Sequence, residues 1–361
     1  MAFIFKMPYY AVLKEMVEVD TESIDPLPGG RRYIVGLTYN LKKGIKSDVE
    51  DIEAEFDSIE TVNAIKHELE KLNLNVQLME ATAEVIEKLS KSKPDIVFNI
   101  AEGLNGRGRE AHIPAILNFL NIPFTGSDET TLSIALDKAI TKRVLSTFGI
   151  KTPKFQLIEY PLKCKLKLNF PLIVKPNCEG SGKGISDTAI VSNKDELEKL
   201  IEKNYSKYNQ PMLVEEYIEG REFTVGVIGN GEEVIVFNPM EIKYKKSGVE
   251  FNIYSYNVKK NYKDYVEYIC PPDLEGKITK KIIKTARKIY GALDCKDFAR
   301  IDFRLSPNGD IYFLEINPLP GLAPGYSDFP MICEFHGIDY GTLIKTVLNC
   351  ALKRYGLEPV S

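Results

Sequence analysis

From Arg32 onward the chain alternates short apolar runs with amphipathic stretches. Tyr33-Ile-Val-Gly-Leu-Thr-Tyr reads as a strand and the polar stretch Lys42 to Glu55 as a loop. Asp57-Ser-Ile-Glu resembles a capping box and opens a helix to about Leu72. Strands at Asn75 to Met79 and Asp95 to Ile100 flank a helix near Ala83 to Ser90. This βαβαβ order predicts a parallel sheet with helices on its faces, closed by a helix at about Glu110 to Leu120. A single long helix is predicted from Thr130 to Phe148.

Gly149-Ile-Lys-Thr-Pro marks a boundary. Beyond it, strands at Pro171 to Lys175, Thr188 to Val191 and Pro211 to Glu216 enclose a helix at Lys194 to Lys203, a small α+β unit. Further strands are predicted at Phe223 to Ile228 and Val234 to Glu241. A polar stretch rich in Tyr and Lys, from Lys243 to Tyr268, precedes a helix from Leu274 to Gly291 and a final hairpin. The expected divisions are an extension over 1–30, an α/β domain over 31–127, and two α+β units over 128–220 and 221–361.

That hairpin carries the strongest chemical signal. Phe298-Ala-Arg-Ile-Asp-Phe-Arg-Leu and Ile311-Tyr-Phe-Leu-Glu-Ile-Asn flank Pro307-Asn-Gly-Asp, a turn sequence. Asp302, Glu315 and Asn317 can face one side, because residues two apart on a strand share a face. Three hard oxygen donors on a rigid hairpin suit Mg²⁺ together with phosphate oxygens. Arg300 shares that face and sets a guanidinium where charge develops in phosphoryl transfer.

A second constellation points to a nucleotide. Lys175 ends a strand that runs into Glu179-Gly-Ser-Gly-Lys-Gly, where Gly180, Gly182 and Gly184 let backbone N–H groups approach phosphate oxygens. Its spacing matches neither the P-loop nor the dinucleotide fingerprint. Further on, Glu215-Glu216-Tyr217-Ile218 leaves a strand and offers backbone groups to an adenine edge, with Glu222 placed to accept from ribose hydroxyls.

Composition narrows the class. The chain has 361 residues, is 44% hydrophobic and carries a net charge of −4, without a block of like charge. Nucleic acid and anionic membranes are therefore poor partners. Six cysteines form no Cys-x-x-Cys pair, which suits a reducing cytoplasm. No apolar run approaches the ~20 residues of a membrane helix, and no signal peptide is read. The three histidines, His67, His112 and His336, read as structural.

Together, VKPNCEGSGKGI, LVEEYIEGREFTV, TGSDETTLSIALDKAITKRVL, FARIDFRL and FLEINPLPGL resemble the ATP-grasp superfamily, and within it the D-alanine–D-alanine ligases. The resemblance runs from about Tyr33 to the C-terminus. It implies an ATP-grasp fold: a parallel α/β domain followed by two α+β units that clamp ATP. It implies ATP and Mg²⁺ (with Mn²⁺ as a substitute), small amino-acid substrates, an acyl-phosphate intermediate and a homodimer. By position, Lys138 and Lys175 would meet ATP phosphates, and Glu215 and Glu222 adenine and ribose. Asp302, Glu315 and Asn317 would hold the metal. Arg300 would stabilise the transferring phosphoryl group. Ser181 would sit at the substrate end of the glycine-rich loop, and Lys259 would reach the γ-phosphate from a mobile stretch.

The departures fall on the amino-acid side. Glu102 stands where the family has a histidine, followed by Arg107 and Arg109 in place of acidic or small residues. Gly321 and Ser327 could still meet a carboxylate, but Asp328 adds negative charge beside them. The family's ammonium-binding glutamate could be Glu55 or Asp57. Arg107 and Arg109 are either solvated or fork a substrate carboxylate or phosphate. The expected function is an ATP-dependent carboxylate–amine ligase, with D-alanyl-D-alanine as default product. A more polar amino-acid substrate and a non-catalytic ATP-binding module are the alternatives.

Overall fold

The computed structural model describes residues 32–44, 53–161, 165–180, 189–245, 258 and 262–361. The expected N-terminal extension lies outside them, as do Ser181, Gly182, Gly184, Lys259 and most of the polar stretch before Tyr268. Among the described residues no helix is long and apolar enough to cross a membrane.

The first unit has the predicted alternation. It runs β1 (Ile34–Tyr39), α1 (Ile59–Lys71), β2 (Asn75–Glu80), α2 (Val85–Ser92) and β3 (Ile96–Asn99). The strands pair in parallel in the order β2-β1-β3. Ser58 caps α1 by accepting from Thr61 N–H at 3.3 Å. Val62, Ile65 and Leu69 recur at helical spacing and bury that face against the sheet. A 3₁₀ turn (Arg109–Ala111) then leads into α3 (His112–Phe119).

The helix predicted from Thr130 to Phe148 is two helices, α4 (Glu129–Leu136) and α5 (Lys138–Thr147), broken at Asp137. No Gly or Pro marks the break. Asp137 adopts an extended backbone and its Oδ1 accepts from Ile140 N–H at 2.9 Å. The first N–H groups of α5 bond Asn177, whose carbonyl takes Lys138 N–H at 3.1 Å and whose Oδ1 takes Ala139 N–H at 2.9 Å. A contact 40 residues away in sequence thus substitutes for a helical turn.

The central unit is an antiparallel sheet, β4-β7-β5-β6, of β4 (Phe155–Ile158), β5 (Leu172–Pro176), β6 (Ile190–Val191) and β7 (Met212–Glu216), covered by α6 (Lys194–Tyr208). Strand β4 was not expected from the sequence. The third sheet contains β8 (Arg221–Ile228), β9 (Ile235–Val236), β10 (Met240–Tyr244), β11 (Val266–Ile269), β12 (Phe298–Leu305) and β13 (Ile311–Asn317). Its order is β11-β10-β8-β12-β13, with β9 on β8. Both ends of the expected polar stretch are therefore paired strands, β10 with β11.

The hairpin β12–β13 forms as read, turning at Gly309 with φ +78°. Between Asp302 and Phe303 the register shifts, leaving Leu314 as an extra residue. The Leu314 carbonyl accepts from Lys142 Nζ at 2.9 Å. Downstream, α9 and α10 close the molecule, if α7 (Tyr262–Tyr265) and α8 (Gly276–Ala292) are counted first; they span Asp328–Phe335 and Tyr340–Arg354. Leu343, Ile344 and Val347 of α10 complete the core under α1, so the last helix finishes the first unit.

Arg354 at the end of α10 ties this arrangement together. Its Nη2 donates to Asp297 Oδ2 at 2.8 Å and to the Phe124 carbonyl at 2.8 Å. Asp297 is fully buried and also accepts from Gly126 N–H at 2.7 Å. Removing one partner of such a pair strands the other charge. Arg354→Met is therefore expected to lower unfolding free energy by about 3 kcal/mol in urea denaturation.

Candidate functional site

The central sheet, the third sheet and α5 converge on one set of buried charges. Glu215 on β7 and Lys175 on β5 share a face, and Lys175 Nζ lies 2.7 Å from Glu215 Oε2. Lys142 of α5 approaches from the other side, 2.8 Å from Oε1, as an ion pair rather than an aligned hydrogen bond. Burial pushes the Lys142 ammonium down to about 8; Glu215 opposes this and Lys175 adds to it. Burial also disfavours charge on Lys175, but Glu215 and Glu315 outweigh it and its pKa rises. Lys138 donates to the Glu179 carbonyl and sits 3.5 Å from Glu315. Four of the predicted nucleotide residues, Lys138, Lys175, Glu179 and Glu215, are thereby brought into one connected group. Lys142 was missed, although its i+4 spacing from Lys138 puts both on one helix face.

Glu222 on β8 lies opposite Arg304 of β12, which donates to its carboxylate, and Tyr244 OH donates to it at 3.0 Å. Neither partner was anticipated from the sequence. They hold the carboxylate as a fixed acceptor beside the Tyr217–Ile218 linker, whose Ile218 carbonyl takes Arg304 Nη1–H at 3.2 Å. Glu216 instead faces outward and accepts from Asn169 N–H at 3.0 Å.

On the hairpin, Asp302 pairs directly with Glu315, and Arg300 with Asn317. Arg300 donates to Asp302 Oδ2 at 3.0 Å and lies 3.4 Å from Asp328. Burial, and behind it Glu315 across the rung, push the Asp302 carboxyl up against the pull of Arg300. Two facing carboxylates, with Asn317 two residues along the same strand face, form a hard-oxygen donor set. That fits Mg²⁺. Among the described residues no group of three His, Cys, Asp or Glu side chains offers another metal site.

Beside the hairpin lies a cavity of ≈ 340 Å³ lined by Glu55, Asp57, Glu102, Arg300, Asn317, Gly321 and Ser327, with Lys42 and Tyr326 at its edge. Ser327 Oγ accepts from Ala323 N–H at 3.2 Å, and a Cβ on Gly321 would meet that oxygen at 2.8 Å, so this turn needs glycine. Burial pushes Glu102 well above the usual carboxylate range, with Glu110, Glu55 and Asp57 adding to it.

Three expected substrate residues sit elsewhere. Arg107 is exposed and bonds Asp137 Oδ2 at 2.9 Å, lining a separate cavity of ≈ 500 Å³. Arg109 is buried and paired with Glu55 and Glu179, so it offers no free fork to a substrate carboxylate. Asp328 is buried behind Arg300 and accepts from Tyr268 OH at 3.2 Å. This cavity is thus acidic where arginines were expected, because both guanidiniums turn toward the central unit.

Comparison with known proteins shows the family. The family model described as D-ala D-ala ligase C-terminus matches residues 144–349. A D-alanine–D-alanine ligase of Aquifex aeolicus is 36% identical over 295 residues, covering 81% of this chain and 94% of that protein. The corresponding enzyme of Carboxydothermus hydrogenoformans is 33% identical, covering 82% and 94%. In fold, the chain is similar to the Bacillus anthracis D-alanine–D-alanine ligase solved with ATP, with TM-score 0.70, 23% identity and coverage of 90% and 99%. It is also similar to the VanG D-Ala:D-Ser ligase of Enterococcus faecalis, with TM-score 0.67, 20% identity and coverage of 89% and 100%.

Asp57 gives a test of the cavity's electrostatics. Burial pushes its carboxyl from 3.8 up to about 7, against a downward pull from Lys42. The folded chain then keeps a proton that the unfolded chain releases, so stability from this group falls as pH rises across that window. Asp57→Asn is expected to leave thermal stability unchanged near pH ~3.5 and to raise it by about 1 kcal/mol or more above pH ~7.

Proposed function

The chain belongs to the D-alanine–D-alanine ligase family, and on that premise we propose how its own residues carry out ATP-dependent carboxylate–amine ligation. One amino acid presents its carboxylate to the γ-phosphate of ATP, giving an acyl phosphate and ADP. The amine of a second amino acid attacks the acyl carbon, forming an amide and releasing phosphate. Lys138 and Lys175 neutralise the triphosphate, while Glu222, fixed by Arg304 and Tyr244, accepts from the ribose. Asp302, Glu315 and Asn317 would hold Mg²⁺, which supplies positive charge against the phosphate oxygens.

The observation that carries this reading is the position of Arg300. It lies between the carboxylate pair of the hairpin and the ≈ 340 Å³ cavity, touching both. A guanidinium there meets the phosphoryl oxygens and the oxyanion of the tetrahedral intermediate, where preorganised charge lowers the barrier. A module that only binds ATP has no use for such a group beside a second, empty-sided cavity.

The default product is D-alanyl-D-alanine. A second reading, a substrate with an additional amine, is favoured by Asp57 and Glu102 in the cavity wall. Burial holds both carboxyls toward their protonated forms, and a substrate ammonium takes the place of that proton, which a small apolar amino acid does not do. This narrows the sequence expectation of an added polar group toward a basic one, since the arginines that would take an added carboxylate line another face.

Amino-acid-dependent ADP release across a panel of D- and L-amino acids and bicarbonate tests the reaction. Release with amino acids alone is expected; release without any, or none with any, would overturn it. Glu315→Gln should lower kcat about a hundredfold or more, by loss of a metal carboxylate; turnover within about tenfold of the parent would remove the metal assignment. A diamino acid is expected to give a kcat/KM about tenfold above D-alanine, each ~1.4 kcal/mol being tenfold; the reverse order would return the chain to plain D-alanine use.

A further inference from the structure

Glu55 lines the amino-acid cavity, yet its carboxylate is already engaged. Arg109 Nη2 donates to Oε1 at 2.6 Å and to Oε2 at 2.7 Å, and Gly180 N–H donates to Oε1 at 2.5 Å. The same guanidinium donates to the Cys178 carbonyl at 2.8 Å and to Glu179 Oε2 at 3.1 Å. Glu179 in turn accepts from Gln210 at 2.7 Å. The Arg109 and Glu55 side chains are only 7% and 3% exposed. This network crosses the seam between the first unit, which supplies Glu55 and Arg109, and the central unit, which supplies Cys178 to Gly180 at the entry of the glycine-rich segment.

A substrate ammonium reaching Glu55 would compete with a bidentate guanidinium and a backbone N–H. Splitting a buried arginine–carboxylate pair leaves an uncompensated charge, which makes that exchange costly. Asp57 and Glu102 line the same cavity, and among the described residues neither carboxylate has a hydrogen-bond donor. Gly180 is also bound to this arrangement, because a Cβ there would lie 2.9 Å from Glu55 Oε1.

We propose that Arg109 is a positioning residue that clamps the entry of the glycine-rich segment to the first unit through Glu55 and Glu179. It takes Glu55 out of the substrate site and leaves Asp57, with Glu102, as the acceptor of the substrate ammonium. The ammonium assignment rests on the ligase reading; the clamp does not. It also links the two halves of the site. The segment that cradles phosphate is held by a residue of the amino-acid cavity, so nucleotide binding feels Glu55 even though Glu55 touches no nucleotide.

The test compares Asp57→Asn, Glu55→Gln, Arg109→Gln, Arg109→Lys and the Glu55→Gln/Arg109→Gln double variant. KM for amino acid, KM for ATP and kcat are measured, with calorimetric binding of a non-hydrolysable ATP analogue. Asp57→Asn is expected to raise amino-acid KM about tenfold or more, the loss of a charge-assisted contact, and to leave analogue binding unchanged. Glu55→Gln and Arg109→Gln should weaken analogue binding about tenfold, with the double variant no worse than either single one, since paired residues act as a unit. Arg109→Lys should restore part of the loss. A generally destabilised fold would not produce this split or its rescue.

Glu55→Gln raising amino-acid KM as much as Asp57→Asn, with analogue binding intact, would overturn the proposal and make Glu55 the ammonium acceptor. Unchanged analogue binding in Arg109→Gln would overturn the clamp. Absence of amino-acid-dependent ADP release in the unaltered protein would instead defeat the ligase reading, and analogue binding would still decide the clamp.

Discussion

The site is organised around Glu215, a carboxylate only 1% exposed and held between two ammonium groups. Burying three charges is costly, and the cost is offset only if geometry is good and the sum of charge is met nearby. Here the set carries one excess positive charge. Glu315 supplies part of the compensation from the hairpin, acting on both lysines. Lys138, 3.5 Å from Glu315, adds a further positive charge to the same group. Burial lowers the Lys142 ammonium and neighbouring Lys175 adds to it, against the pull of Glu215.

The same triad is also the mechanical joint. Glu215 and Lys175 belong to the central sheet, while Lys142 bonds the Leu314 carbonyl that the bulge in β12–β13 frees from its ladder. A bulge elsewhere would leave a buried carbonyl unpaired. Here it receives Lys142, and Asp302 stays directly opposite Glu315 on the rung below. The Glu215–Lys175 pair and the hairpin bulge are thus both referenced to one side chain of α5, which begins at the break at Asp137.

The cavity beside the hairpin follows different logic. It is built by loops of the first unit against the turn after β13, and its charge is set by which way two arginines face. Arg107 goes to Asp137 and Arg109 to Glu55 and Glu179. With both spent at the seam, the cavity keeps Asp57 and Glu102. The charge of this cavity is therefore coupled to how the first unit is fastened to the central one.

The hairpin and the parallel sheet were legible in the sequence by itself. Period-two alternation and a Pro-Asn-Gly-Asp turn determine a hairpin, and strand parity alone puts Glu315 and Asn317 on one face. The βαβαβ order likewise determines a parallel sheet. Parity says which residues share a face, not what faces them across a seam. Arg304 and Tyr244 meet Glu222 only because β12 and β10 pair on either side of β8, strands far apart in sequence, and the split at Asp137 arose because Asn177 takes the N–H groups of α5. The last helix completes the first unit's core across nearly the whole chain, which no local pattern encodes. Tertiary structure alone decided the direction of Arg107 and Arg109, since a loop arginine goes to whichever carboxylate folding brings within reach.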